Sequence, residues 1–289
     1  MSQAPSVERQ ASAISNRRAE REREPRAGWT GWRETLHAEW TKLRTLPGTI
    51  WLLPAITVLT LAVSAAASSS VTCPAAGCNQ DPGKIGLTGV ELGQAVVAIL
   101  AVLAVSGEYS TGMIRATFTA MPRRTMVLAA KAASVSGLTL LAGSIAVLGS
   151  VLVARLAMPG HGFTGAHGYR LISLTDGSVL RAAAGSVLYL GLIALLSLGI
   201  AALVRDAAAA IGLVLGLLYL SPIIAAVVTD PHWHNRIERY TPMSAGLAIQ
   251  ATRNLAAQPI GPWEGLGVLA TWAAVALLAG GAALRLRDA

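Results

Sequence analysis

The chain has 289 residues, 53% of them hydrophobic and only 13% charged, with a mean hydropathy of +0.54. Soluble domains carry about a quarter charged residues, so a single large soluble core is excluded. The net charge of +8 and pI near 10.2 read as attraction to an anionic leaflet rather than to nucleic acid.

Residues 1–27 lack an apolar h-region and read as a solvated cytoplasmic tail rather than a cleavable signal. Residues 28–46 read as an amphipathic helix. Trp29, Trp32, Leu36, Trp40 and Leu43 follow 3- and 4-residue spacing, while Arg33, Glu34, Glu39, Lys42 and Arg44 occupy other positions. Such a Trp-rich stripe with basic edges predicts a helix lying in the membrane interface. Its role is either plain anchoring or that of an elbow passing movement from a soluble partner to the spans.

Residues 47–289 offer six apolar segments of the roughly 20 residues that a membrane crossing needs. They fall at about 49–71, 87–106, 126–154, 182–204, 207–228 and 263–284, and the third is long enough for its last turn to protrude. Pro and Gly breakers frame them: Pro47-Gly48, Asp81-Pro82-Gly83, Pro122, Pro159-Gly160 and Pro259 to Pro262. Spans four and five are joined only by Val204-Arg205-Asp206, a tight helical hairpin. The expectation is an all-α polytopic membrane protein. With the N-terminus inside, 16 of the 23 Lys and Arg residues lie on the inner side, so the positive-inside rule puts both termini in the cytoplasm.

Cys73 and Cys78 share the first outer loop. An external disulfide is sensible there, and two free thiols are the alternative. In span two, Glu91 and Gln94 lie near the outer end. Glu91 is a functional candidate as an intramembrane acid, but an acid at a helix N-terminus also complements the helix dipole. Two GxxxG pairs occur, Gly89 with Gly93 and Gly212 with Gly216. Each allows close helix approach, either within the chain or between subunits. Pro222 is expected to kink span five, with Ser221 beside it to satisfy the freed backbone.

Between spans two and three lies a short polar interruption. Ile114, Phe118 and Met121 fall on one helical face, Ser110 and Thr111 can cap its start, and Pro122 stops it. A small amphipathic helix held out of the membrane by two spans is a docking surface for a soluble protein. On the outer side, Met243, Leu247, Ala251 and Leu255 at four-residue spacing predict one short helix dipping into the membrane surface. His232 and His234, two loop histidines without a third ligand, read as polar residues rather than a metal site.

No H-E-x-x-H, G-x-S-x-G or P-loop pattern is present. The run from Gly77 to Gly83-Lys84 has the wrong gap and lacks Ser or Thr after the lysine. The chain therefore reads as a non-enzyme with no metal or cofactor of its own. Energy for any pumping must come from another polypeptide or an ion gradient, and the lack of several mid-bilayer acids weighs against a gradient-driven carrier.

Two cytoplasmic strings carry a resemblance: Ala38-Glu-Trp-Thr-Lys-Leu-Arg-Thr45 before the first span, and Gly107-Glu-Tyr-Ser-Thr-Gly-Met-Ile-Arg-Ala-Thr-Phe-Thr-Ala120 after the second. Together with Tyr240-Thr-Pro-Met-Ser-Ala-Gly-Leu-Ala248, Pro262-Trp-Glu-Gly-Leu266 and Trp272-Ala-Ala-Val-Ala276, they make residues 33–289 resemble ABC-2 type transporter permeases of the actinobacterial family. The resemblance implies an exporter subunit in the plasma membrane. Two permeases, identical or sister chains, would pair with two copies of a separate ATPase that binds ATP and Mg. It also implies an elbow at Glu39, Trp40, Lys42, Leu43 and Arg44. A coupling helix would match Glu108, Tyr109, Thr111, Gly112, Ile114, Arg115 and Phe118, and the two GxxxG faces would stand near a dimer centre. The cargo would be hydrophobic or amphipathic. A non-transporting sensor or assembly scaffold using the same docking helix is the other reading.

Overall fold

A computed structural model of the chain describes residues 29–45, 47–73, 78–110, 124–165, 168–169 and 171–286. The expected tail and the body of the expected docking helix, including Thr111, Gly112, Ile114, Arg115 and Phe118, lie outside the described residues. Everything described is helix, turn or loop, without a strand among the described residues.

An N-terminal helix, α1 (Trp29–Thr45), leads into α2 (Pro47–Ser70), the first span. A single turn, α3 (Pro82–Gly86), precedes α4 (Val90–Ser110), the second span. Then come α5 (Arg124–Ala157), α6 (Gly177–Val204) and α7 (Ala207–Val227), spans three to five. Two short helices, α8 (Pro231–Tyr240) and α9 (Pro242–Leu247), connect to the last span, α10 (Pro262–Leu286). Six of these helices are long and apolar enough to cross a membrane. At 34 residues, α5 runs to about 50 Å, well beyond a hydrocarbon core of about 30 Å. Its length agrees with the expectation of a long third span.

Span α6 is the centre of the bundle. It packs against α4, α5, α7 and α10, and Tyr189, Leu190, Ile193, Leu196 and Leu198 along it are fully enclosed. Spans α2 and α7 are peripheral and expose most of their length, as lipid-facing helices do. The α6–α10 crossing closes through two glycines the sequence did not flag. A Cβ on Gly199 would lie 2.5 Å from the Ala276 carbonyl carbon, and one on Gly280 would lie 2.7 Å from the Gly199 oxygen. Small residues at such crossings let backbones touch, which is how membrane helices gain packing energy without a hydrophobic driving force.

The α6–α7 hairpin is as tight as expected. Arg205 takes the left-handed conformation at φ 64°, and the Asp206 carboxylate caps α7 by accepting from the Ala209 N–H at 2.7 Å. In α7, Pro222 leaves the Leu218 carbonyl without its helical donor, and the Ser221 hydroxyl donates to that oxygen at 3.2 Å. The helix continues to Val227 on that support.

One expected element is different. The four-residue pattern from Met243 to Leu255 does not form one helix: α9 ends at Leu247, a 3-10 turn covers Ala248–Gln250, and Ala251 is extended. The cause lies across the molecule, where the Asp81 carboxylate accepts from the backbone N–H groups of Thr252 (2.6 Å) and Arg253 (2.9 Å). Those donors would otherwise continue the helix. Before that break, Met243, Leu247 and Ile249 are buried in the bundle.

Candidate functional site

The bundle has two chemically distinct ends. At one, four charged side chains from three helices meet in a protein interior. Glu39 and Lys42 stand one turn apart on α1, Glu108 is in the last turn of α4, and Lys131 is in the second turn of α5. Lys131 Nζ lies 2.6 Å from Glu39 Oε2 and 2.9 Å from Glu108 Oε1. Lys42 Nζ closes the ring at 2.9 Å from Glu39 Oε1 and 3.0 Å from Glu108 Oε1. The side chains of Glu39, Glu108 and Lys131 are only 2%, 7% and 6% exposed, and Lys42 is 35% exposed.

The cluster is neutral overall, which is what makes its burial tolerable. Each member is poorly placed without the others. A carboxylate in the last turn of α4 opposes the helix dipole, so Glu108 depends on its two ammonium partners. Burial disfavours the Lys42 charge, but Glu39 and Glu108 outweigh it, and the Lys42 pKa lies above its ordinary value. Glu108 Oε2 is buried and has no hydrogen-bond partner among the described residues.

The sequence anticipated three of these residues, as separate elbow and coupling residues, but not that they touch. Lys131 enters the sequence reading only as one of the 16 inner-side Lys and Arg residues. Its signal was a lone lysine seven residues into an apolar span. Of the other expected elbow residues, Leu43 is buried, whereas Trp40 and Arg44 are exposed. The inward face of α1 is Thr35, Glu39 and Leu43, which shares only Leu43 with the Trp stripe. Tyr109 lies under the Arg205 guanidinium, 5.5 Å from its ring centre, and Arg205 also donates to the Ala283 carbonyl at 3.2 Å. The α6–α7 hairpin and the end of α10 are thereby tied to the end of α4.

Of the GxxxG pairs, Gly89 and Gly93 pack within the chain. A Cβ on either would collide with Thr60 of α2, and the Gly89 N–H donates to the Ser64 hydroxyl at 3.2 Å. Because α2 fills that face, it is not open to a second copy, which corrects the dimer-centre expectation for this pair. Gly212 and Gly216 have nothing within 4 Å of a built Cβ and lie on the open side of α7.

The opposite end carries the disulfide. Cys73 and Cys78 are bonded, with Cα atoms 5.5 Å apart. The Cys73 N–H donates to the His161 carbonyl at 2.9 Å, and the Tyr169 hydroxyl donates to the Cys78 carbonyl. The Arg253 guanidinium stacks 4.4 Å from the Tyr169 ring centre. Together with the Asp81 contacts and an Asn254 to Asn79 bond of 3.0 Å, these join three loops into one cap. His234 Nδ1 donates to the Ala225 carbonyl at 2.9 Å, and its Nε2 stands 3.5 Å from Glu238 Oε1.

Six membrane-length helices, all-helical architecture and a lipid-like exterior define an all-α, multi-pass membrane protein. No protein-family model matches the chain, and no curated protein matches it.

Proposed function

We propose that the chain is the membrane-spanning permease subunit of an ATP-binding cassette exporter of the ABC-2 type. In this reading two permease copies, or this chain and a sister, work in the plasma membrane with two copies of a separate ATPase that binds ATP and Mg. The cargo is hydrophobic or amphipathic, since the spans offer it mainly apolar walls. Both termini and the ion-cluster end face the cytoplasm.

The observation that supports the reading is the buried ring of Glu39, Lys42, Glu108 and Lys131. A soluble partner pressing on residues 111–123 pushes on the chain immediately after Glu108. Short, charge-assisted contacts link Glu108 to α1 and α5, so a displacement there moves the elbow helix and the ends of two spans together. Arg205, stacked on Tyr109, extends the link to α7 and α10. A plain anchor has no need of a buried four-charge junction at this position.

The test is co-purification of an ABC ATPase with the tagged chain from its own membranes. Ile114→Asp puts a charge on the expected docking face and leaves the ring alone, while Glu108→Ala breaks the ring. The expected outcome is at least a tenfold loss of co-purified ATPase for Ile114→Asp, with the membrane subunit still monodisperse. A further loss should appear when Glu108→Ala is added. Undiminished pairing in the double variant contradicts the reading.

A further inference from the structure

At the disulfide end, a groove of about 1020 Å³ runs along α8, with Trp233, Arg236, Arg239, Tyr240 and Gln258 in its walls. Its charge is one-sided: two arginines line it, and none of the described residues lining it is an acid. The acids closest in sequence are engaged elsewhere. Asp230 caps α8 by accepting from the His232 N–H at 2.8 Å, while Glu238 stands 3.5 Å from His234 and lines a neighbouring recess beside Lys84. Neither arginine has an acid at the i±3 or i±4 positions from which a helix supplies an ion pair. Among the described residues, neither guanidinium has a hydrogen bond or ion pair. Arg236 lies over the Trp233 ring, 5.7 Å from its centre, a contact that holds the guanidinium plane and leaves its N–H edge for an anion.

The depth of α8 decides which anion fits. The Tyr240 carbonyl accepts from Trp272 Nε1 at 3.0 Å, and Trp272 lies ten residues, about 15 Å, into α10. Nearer its start, α8 is bonded through His234 to the Ala225 carbonyl in the last turn of α7. The helix therefore lies beside the ends of two spans rather than above them. Trp233 and Tyr240 are 56% and 60% exposed there, and such aromatics settle between lipid headgroups and chains. A guanidinium at that depth has little water, and here it has no carboxylate. Lipid phosphate is the anion that this layer supplies. A free phosphate would leave the aromatic wall bare. A zwitterionic headgroup would bring its own ammonium against the two arginines, so the charges favour a lipid with net negative charge. The groove holds the volume of roughly thirty waters, room for such a headgroup and the first methylenes of its chains.

We propose that this groove holds an anionic phospholipid from the leaflet at the disulfide end, with its phosphate at Arg236 and Arg239 and its chains along Trp233 and Tyr240. The assignment stands on the groove, its charges and its depth, and does not depend on the exporter reading.

The experiment places the purified full chain in phosphatidylcholine nanodiscs at physiological salt, with rising fractions of phosphatidylglycerol brominated on its chains. Quenching of tryptophan emission reports binding, and brominated phosphatidylcholine gives the non-selective background. A saturable component favouring phosphatidylglycerol at least tenfold is expected, given about fivefold per arginine at an anionic surface. It should fall to at most twofold in Arg236→Gln/Arg239→Gln. It should stay unchanged in Arg155→Gln, which removes an exposed charge at the same end on α5. Asn235→Arg adds a third cation to the groove wall and is expected to tighten binding severalfold, a gain that damaged folding does not mimic. Five results overturn the proposal. They are no selectivity in the parent, selectivity retained in the double Gln variant, an equal loss in Arg155→Gln, no tightening in Asn235→Arg, or displacement by millimolar inorganic phosphate at constant ionic strength. The third would assign the effect to surface charge as a whole, and the last to a free-phosphate site.

Discussion

Lys131 shows how much rests on one side chain at the ion-cluster end. Its ammonium serves two buried carboxylates at once, so replacing it with Met leaves Glu39 and Glu108 sharing only the half-exposed Lys42. Breaking a buried pair by removing one partner costs about 3–5 kcal/mol, whereas loss of a partly exposed pair costs about 1 kcal/mol or less. Thermal unfolding of the solubilised protein should therefore drop much further for Lys131→Met than for Lys42→Met. Adding Glu39→Gln to Lys131→Met should cost less than the sum of the two single changes, because the residues share one network. Lys42 adds a pH signature. Its pKa lies above the ordinary 10.5 because its two carboxylates outweigh burial, which opposes its charge. The stabilisation from that shift is complete below pH 10.5 and is lost as pH rises through the raised value. The alkaline fall in melting temperature should accordingly be shallower in Lys42→Met than in the parent; equal slopes would refute the assignment.

At the scale of elements, glycine placement decides which helices touch. Gly199 and Gly280 bring α6 and α10 into backbone contact, while a Cβ at Gly212 meets nothing within 4 Å. Gly199→Leu must push a side chain into the α10 backbone, and overpacking of that kind costs about 1–3 kcal/mol or more. Gly212→Leu should stay within about 0.5 kcal/mol of the parent. Comparing their melting temperatures checks the packing directly. The six spans were legible in the sequence because runs of about 20 apolar residues bounded by Pro and Gly leave little choice. Which face of each helix turns inward was not legible. In lipid both faces of a helix can be apolar, so periodicity loses its meaning as an inside marker. On α1 the Trp stripe stands out in the sequence, whereas the inward face shares only Leu43 with it and is otherwise the polar Thr35 and Glu39. The ring was half legible for a related reason: Glu39, Lys42 and Glu108 stand in recognisable strings, but Lys131 lies 92 positions from Glu39 with no local pattern around it. The break after α9 was hidden too, since it depends on Asp81 meeting backbone N–H groups more than 170 positions away.

For the whole molecule, the property of greatest consequence is which end faces the cytoplasm, because the docking proposal takes its meaning from it. Two independent features point the same way. The N-terminus-in arrangement puts 16 of 23 Lys and Arg residues inside, and it puts the bonded Cys73–Cys78 pair on the side where disulfides persist. Single cysteines in a Cys73→Ser/Cys78→Ser background can decide it. The disulfide closes a loop with a sequence separation of only 5, so losing it costs about 2 kcal/mol on the loop-entropy estimate, and the cap keeps its Asp81 and Tyr169 contacts. Gly160 at the disulfide end has nothing within 4 Å of a built Cβ, and Ala208 at the ion-cluster end is exposed at the start of α7. A membrane-impermeant maleimide applied to intact cells should label Gly160→Cys at least fivefold more than Ala208→Cys, with the difference vanishing once the cells are opened. The reverse pattern would place the four-charge ring outside the cell, beyond the reach of any ATP-driven partner, and the exporter reading would fall with it.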